Sequence, residues 1–400
     1  MNILFLSTKA PLPTNDGHSL RTYNLLKEIA RVHNVHLLSF TKFEEEFDYI
    51  DNVKELCKSV SYFKLEENIS QLSMMWTLAV SIMHRHPFVA LKYYKKDMEN
   101  MIRLILQRER IDIVHVDILP MCVYLSLFKT IPTILNAHNA ESILFRKQVD
   151  NETHQIKKMY LESQIRKLDL FERKVVDQVD HILTCSQEDQ KIFESFNCKT
   201  PIEIIPNGVD TNFFRSKSDS IEEDKKIVFV GGLNWFPNFD GLKWFDKEIL
   251  PYVRQKYPDI CVHVIGRYDK KNIVWENREN FYMEGFVQDI RPYLQMASVV
   301  VVPLRVGGGT RLKILDSMGM SKAIVSTSIG AEGLGAINGV NILLRDSAED
   351  FAKGIIELIE RKERRQLIKA AARAFVEQNY QWESIGYKLL NVYDTYKNKG

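Results

Sequence analysis

Short, continuously apolar runs alternate along this chain with longer stretches whose apolar residues recur every three or four positions, and the whole pattern occurs twice. Apolar runs bounded by turn residues suit strands buried on both faces. The longer periodic stretches suit helices packed on those faces, so the pattern predicts parallel sheets covered by helices. In the first half, strands are expected at 2–7, 35–40, 60–65, 111–117, 133–138, 182–186 and 202–205, with a helix at 19–32 whose Tyr23, Leu26, Ile29 and Ala30 share one face. In the second half, strands are expected at 227–230, 261–265, 281–283, 299–302, 323–326 and 341–344. Helices are expected at 241–257, broken at Pro251, and at 348–360. Between the halves, PNGVDTNFFRSKSDSIEED (206–224) is polar, turn-rich and acidic at its end, and reads as a linker.

Length agrees with two domains, since 400 residues exceed what one core usually supports, about 250–300. A net charge of +2, with 26 basic against 27 acidic residues over 1–205, argues against general nucleic-acid binding. The five cysteines, Cys57, Cys122, Cys185, Cys198 and Cys261, form no CxxC pair and predict reduced thiols in a cytoplasmic protein. The opening MNILFLSTKAPLPT lacks a basic leader and reads as a first strand. No run of 18 apolar residues occurs, so no membrane span is expected.

The most informative chemistry lies in VVVVPLRVGGGTRLKILDSMGM, which joins a buried strand, a three-glycine turn and a basic helix start. Gly307, Gly308 and Gly309 can expose backbone N–H groups, the helix start favours an anion, and Arg311 and Lys313 add two full charges. This reads as a phosphate seat; the alternative is a plain tight turn with two solvated cations. No Asp-x-Asp pair and no His/Cys/carboxylate cluster at metal-ligand spacing is present, so no metal is expected. Residues 71–110 mix Met74, Met75, Trp76, Phe88, Tyr93 and Tyr94 with Arg85, Lys92, Lys95, Lys96 and Arg103. They fit either a peripheral contact with an anionic bilayer or a packed helix pair with solvated lysines, and Asp97 and Glu99 favour the second.

Several segments in order resemble the large fourth family of retaining glycosyltransferases, glycosyl transferases group 1. These are PLPTNDGHSLRTYNLLKEIA, NAHNAES, IPNGVD, FVGGLNWFPNFDGLKWF, EGFVQDIRPYLQMASVVVVP and GGGTRLKILDSMGMSKAIVSTSIGAEGL. The resemblance implies the GT-B fold, two Rossmann-like doubly wound domains facing a central cleft. It sets the acceptor-side domain at 1–205, joined by a C-terminal helix at 381–400, and the nucleotide-sugar domain at 206–380. It implies a loop at Gly17 that closes over donor or acceptor, a His138 that contacts the donor sugar, and a carboxylate, here Asp316, on the ribose hydroxyls. Glu141, three residues past His138, is read as capping or orienting the helix it starts.

Two departures stand out. The first of the two glutamates usual around the glycine loop is Gly308 here, so its task falls to the N–H groups of Gly308, Gly309 and Thr310 or to water. The Arg and Lys usual after the first strand of the second domain are also missing, and Arg311 and Lys313 look like their replacements. The expected protein is a metal-independent, cofactor-free enzyme moving a hexose-type sugar from a nucleoside diphosphate to a glycan or lipid-linked acceptor in the cytoplasm. Arg311, Lys313 and His138 are its expected catalytic groups. A GT-B epimerase and a catalytically silent nucleotide-sugar-binding subunit are the alternatives, the latter because of Gly308.

Overall fold

The computed structural model describes all residues except 15, 43, 66–80, 83, 151, 153, 217–222, 270–274, 276–277, 308–310 and 398–400, together with the side chains of 147, 148 and 150. The chain divides into two compact units, Met1–Pro206 with Gly386–Gly400, and Asn207–Ile385. Each is built on one parallel sheet.

The first unit holds β1 (Asn2–Ser7), β2 (Asn34–Thr41), β3 (Ser59–Lys64), β4 (Ile113–Asp117), β5 (Thr133–Ala137), β6 (His181–Thr184) and β7 (Ile202–Ile204), in the order β3-β2-β1-β4-β5-β6-β7. Their side chains alternate between faces, as strands require. Leu4, Leu6, Val114 and Val116 enter one core with Met98, Ile102 and Phe171, while Phe5 stacks on His115. The described part of 81–110 forms the helices Phe88–Lys92 and Lys96–Arg108, with Tyr93 packed on Phe40 and Glu99 paired to Lys96 and Arg103. That is the packed-helix alternative for these residues; Met74, Met75 and Trp76 lie outside the described residues.

The second unit holds β8 (Lys226–Val230), β9 (Cys261–Ile265), β10 (Phe281–Gly285), β11 (Val299–Val302), β12 (Ile324–Ser326) and β13 (Leu343–Leu344), in the order β10-β9-β8-β11-β12-β13. Both orders reverse direction at the first strand, between β1 and β4 and between β8 and β11. Such switch points open a crevice at the carboxyl ends of the strands, because the flanking connections leave to opposite faces. All five cysteines are free thiols. Among the described residues no helix is long and apolar enough to cross a membrane.

Two expectations are corrected. The 241–257 stretch is not broken at Pro251: helix runs from Phe236 to Lys256, and the Leu250 N–H reaches back five residues to the Phe245 carbonyl. That wider turn absorbs the irregularity just ahead of a proline that has no N–H to give. Nor do the described residues of the expected linker 206–224 hang free. Val209 is buried and bonds to the Tyr380 carbonyl, and the Arg373 guanidinium donates to the carbonyls of Thr211 and Phe214, which fastens this segment to the second unit.

The last helix, Trp382–Asp394, begins in the second unit and ends in the first. Its Trp382, Ile385, Leu389, Val392 and Tyr393 are all buried, at spacings of three and four that form one apolar face. Trp382 and Ile385 close over Gly208, and the Tyr393 hydroxyl meets His115 Nδ1 at 2.6 Å. Tyr393→Phe should leave that buried nitrogen without its partner and cost about 1–3 kcal/mol. The loss would read as a lower urea midpoint at unchanged slope; an unchanged midpoint would show that the bond adds nothing to stability.

Candidate active site

In the first unit the switch point is occupied by a buried carboxylate. Asp117 ends β4 and is fully buried. Its Oδ2 accepts from Thr22 Oγ1 at 2.6 Å and Ser7 Oγ at 3.2 Å, and its Oδ1 from Asn136 Nδ2 at 2.7 Å and His138 Nε2 at 2.9 Å. His18 Nε2 lies 3.6 Å away, and its ring meets that of His138 edge-on at 4.6 Å. Arg21, also buried, donates to Asn136 Oδ1 at 2.7 Å and so fixes which way that amide points. Burial alone would raise the Asp117 pKa, but the two imidazoles and their hydrogen bonds hold it well below the usual carboxylate range.

His138 follows β5 and is buried, which pushes its pKa down to about 4 despite Asp117 beside it. The ring is therefore neutral near pH 7. With an ionised carboxylate as partner, Nε2 must carry the hydrogen, so Nδ1 keeps a lone pair that no described residue engages. Gly17 is the first residue of the Gly17–Ala30 helix, capped by the Asp16 carboxylate on Ser19 N–H at 2.9 Å. It has no left-handed backbone, so its glycine is not demanded by the turn itself.

His18, Asp117 and His138 also bring three metal-type ligand atoms within 4.8 Å of one another, a cluster that sequence spacing did not disclose. The oxygens of Asp117 already accept four hydrogen bonds, about the full capacity of a carboxylate. The cluster therefore reads as a network that orients the imidazoles, and a metal would have to displace a donor to enter.

In the second unit the switch point carries cations. Arg311 caps the Leu312–Gly319 helix and is 6% exposed, with Nη2 donating to the Ile329 carbonyl at 3.2 Å. Lys313 Nζ donates to Asn238 Oδ1 at 2.6 Å and lies 5.3 Å above the Phe229 ring. It reaches the end of β8, since a Cβ on Gly231 would stand 2.8 Å from Nζ. These are not the solvated cations of the alternative reading. Burial, with Arg311 adding to it, pushes the Lys313 pKa down to about 7, and no described carboxylate pairs with it.

Asp316, one turn further on, finds no hydrogen-bond donor among the described residues, and the protein packed around its carboxyl raises its pKa to about 8. Gly307 has φ +127, a backbone that suits only glycine, and packs against Arg311 and Pro237. Gly308, Gly309 and Thr310 lie outside the described residues.

Sequence reasoning passed over Asp117, His18, Arg21, Asn136 and Asn238. Asp117 was findable as the polar residue closing an apolar run at a strand's carboxyl end. Asn238 stood inside the quoted WFPNFDG segment, but only the fold shows that its amide meets Lys313.

Residues 15–213 match the family described as "Glycosyltransferase Family 4", and residues 224–361 that described as "Glycosyl transferases group 1". The "Uncharacterized 44.6 kDa protein in cps region" of Klebsiella pneumoniae is 24% identical over 399 residues, which span 94% of this chain and 96% of that one. A GDP-mannose-dependent monoacylated alpha-(1-6)-phosphatidylinositol monomannoside mannosyltransferase of Corynebacterium glutamicum is 25% identical over 241 residues, 55% of this chain and 63% of that one. Among solved structures, Anabaena HepE in complex with UDP superposes with a TM-score of 0.69 at 15% identity, over 99% of this chain and 100% of that one. Sucrose-phosphate synthase from Thermosynechococcus elongatus gives 0.68 at 14% identity over 99% of each. Two Rossmann-like parallel sheets, the likeness of fold and family matches across most of the chain agree: this protein belongs to the group 1 glycosyltransferases of the GT-B fold.

Proposed function

We propose that the chain is a retaining, metal-independent hexosyltransferase, moving a sugar from a nucleoside diphosphate to a glycan or lipid-linked saccharide of the cell surface. The observation that carries this reading is Lys313, a half-buried ammonium at the switch point with an amide for a partner and, among the described residues, no carboxylate. A buried charge left uncompensated is costly, and a diphosphate supplies the missing counter-charge. Arg311 adds a second cation, and Asp316, which meets no hydrogen-bond donor among the described residues, is an acceptor suited to the paired ribose hydroxyls. HepE in complexes with UDP and UDP-glucose supports this donor class, and the Corynebacterium phosphatidylinositol monomannoside mannosyltransferase supports a lipid-linked saccharide as acceptor.

Transfer then breaks the bond from the anomeric carbon to the diphosphate oxygen, whose electron pair leaves with the diphosphate. The acceptor oxygen bonds to the same face of that carbon, and the proton it releases as that bond forms ends on the departing diphosphate. Arg311 and Lys313 stabilise negative charge where it develops on the leaving group, and such preorganised electrostatics usually lower a barrier more than any other single effect. The lone pair on His138 Nδ1 receives a sugar hydroxyl, and Asp117 keeps that nitrogen unprotonated. The enzyme works in the cytoplasm. A silent binding subunit or an epimerase is the competing reading; transfer of label from a nucleotide sugar to an acceptor separates all three.

Activity should survive a chelator, while Arg311→Ala and Lys313→Ala each lower turnover about ten- to a hundredfold. Loss of transfer with EDTA and its return with manganese would overturn the charge assignment. His138→Ala should keep UDP affinity within about twofold yet sharply lower transfer; intact transfer would make His138 structural.

The two shifted groups also fix the pH dependence of nucleotide binding. A bound diphosphate raises the Lys313 pKa from about 7, so binding takes up a proton above that pH and affinity falls as pH rises. Ribose hydroxyls favour ionised Asp316, whose pKa starts near 8, so binding releases a proton below that pH and affinity falls as pH drops. Affinity for UDP-glucose, whose phosphates do not titrate in this range, should peak between about pH 7 and 8, with limbs of up to about tenfold per unit. Asp316→Asn should remove the acid limb and Lys313→Arg the alkaline one, as read by calorimetric titration.

A further inference from the structure

Three carboxyl groups crowd the start of the Glu141–Asp150 helix, and two of them are already engaged. Glu172 accepts the N–H of Glu141 at 2.9 Å, the N–H of Ser142 at 3.2 Å and the Ser142 hydroxyl. Asp189 accepts the N–H of Ala140 at 3.2 Å and the Ser186 hydroxyl at 2.6 Å. The first N–H groups of the helix are thus satisfied by carboxylates from other helices. The expectation that Glu141 caps its own helix is corrected accordingly: its carboxyl is not needed there, and it makes no hydrogen bond or ion pair with any described residue.

An idle, half-buried carboxyl beside two others is destabilising, since burial and like charge both oppose its ionisation. It stands three residues past His138, near enough to His18 and the Tyr93 phenol to interact electrostatically with both. Its neighbours also select its ligand. Glu172 and Asp189 repel a phosphate, whereas an uncharged hydroxyl donating a hydrogen bond relieves the carboxylate without adding charge.

We propose that Glu141 is an acceptor-binding residue, its carboxylate receiving the hydrogen bond of the hydroxyl that attacks the donor sugar. This rests on the transferase reading above and extends it, because Arg311, Lys313 and Asp316 account for the donor and leave the acceptor unassigned. The groups facing Glu141 are Glu172 on the Gln155–Val176 helix, Asp189 on the Gln187–Glu194 helix, His18 on the Gly17–Ala30 helix, and Tyr93. Burial first, then the charge of Glu172, raise its pKa to about 7, while His18 opposes and Asp189 adds. The binding form therefore appears as pH rises through neutrality.

The test uses the full-length protein, UDP- and GDP-sugars as donors, and first water and then octyl hexosides as acceptors. In Glu141→Gln, UDP affinity should stay at the wild-type value and the melting temperature should not fall, since a strained charge has been removed. Turnover at pH 8 should fall about tenfold or more with donor KM unchanged, and the rise of turnover with pH near 7 should vanish. Glu141→Asp keeps the charge one methylene short, so it should restore that pH limb while raising KM for the octyl hexosides. A Glu141→Gln enzyme with wild-type turnover and pH profile would overturn the assignment. So would a loss of UDP affinity or melting temperature in step with turnover in both variants, which would make Glu141 a donor or folding residue. If the wild-type protein neither binds nor cleaves any nucleotide sugar, the transferase reading itself falls, and this one with it.

Discussion

An ionised carboxylate withdrawn from water must be surrounded by donors, and Asp117 meets that demand by drawing on three separate stretches of the first unit. Ser7 comes from β1, Thr22 from the helix that follows it, and Asn136 and His138 from the end of β5 and the residue after it, with His18 Nε2 close by at 3.6 Å. Each donor is held in one orientation because the carboxylate would otherwise be left under-satisfied. The carboxyl ends of β1, β4 and β5 are thereby locked together at the point where the sheet order reverses. Arg21 extends the network by fixing the Asn136 amide.

The second unit uses the same topological opening with the opposite charge. There the charge is that of a lysine and an arginine; the sheet edge supplies an amide to Lys313 and a carbonyl to Arg311, and among the described residues no acid pairs with Lys313. Gly231 gives Lys313 room at the end of β8, and Gly307 lets the chain turn tightly past Arg311. One fold repeated in one chain thus presents an acid-centred network and a cation-centred one, each built from residues at strand ends.

Much of this architecture was written in the pattern of apolar runs. Buried parallel strands are continuous blocks of β-branched and apolar residues, so Val299–Val302, Cys261–Ile265 and Asn2–Ser7 could be placed to the residue. The helix around Pro251 was harder, because a proline can be accommodated by a wider turn ahead of it and local sequence does not show which outcome prevails. The segment 206–224 reads as a linker by composition, yet its carbonyls are held by Arg373, more than 150 residues away. In the candidate site, Arg311 and Lys313 were legible as cations beside a glycine turn at a helix start, whereas His138 and Asp316 were singled out only through family likeness. The joining of His18, Asp117 and His138 follows no helical or strand period, since it depends on which strands lie side by side. The idle state of Glu141 was hidden for the same reason: it emerges only once Glu172 and Asp189 are seen to cap the helix in its place.

The hydrogen bond between His115 and Tyr393 also orders events during synthesis. His115 lies in the middle of β4, yet its partner emerges only after the whole second unit, roughly 180 residues, has been made; at about 5–20 residues per second this takes about ten to forty seconds. Throughout that interval the nascent first unit carries an open apolar face where Tyr393 and Leu389 will later dock. Completion of the first unit is therefore tied to completion of the chain, and a ribosome that stalls within the second unit leaves both unfinished.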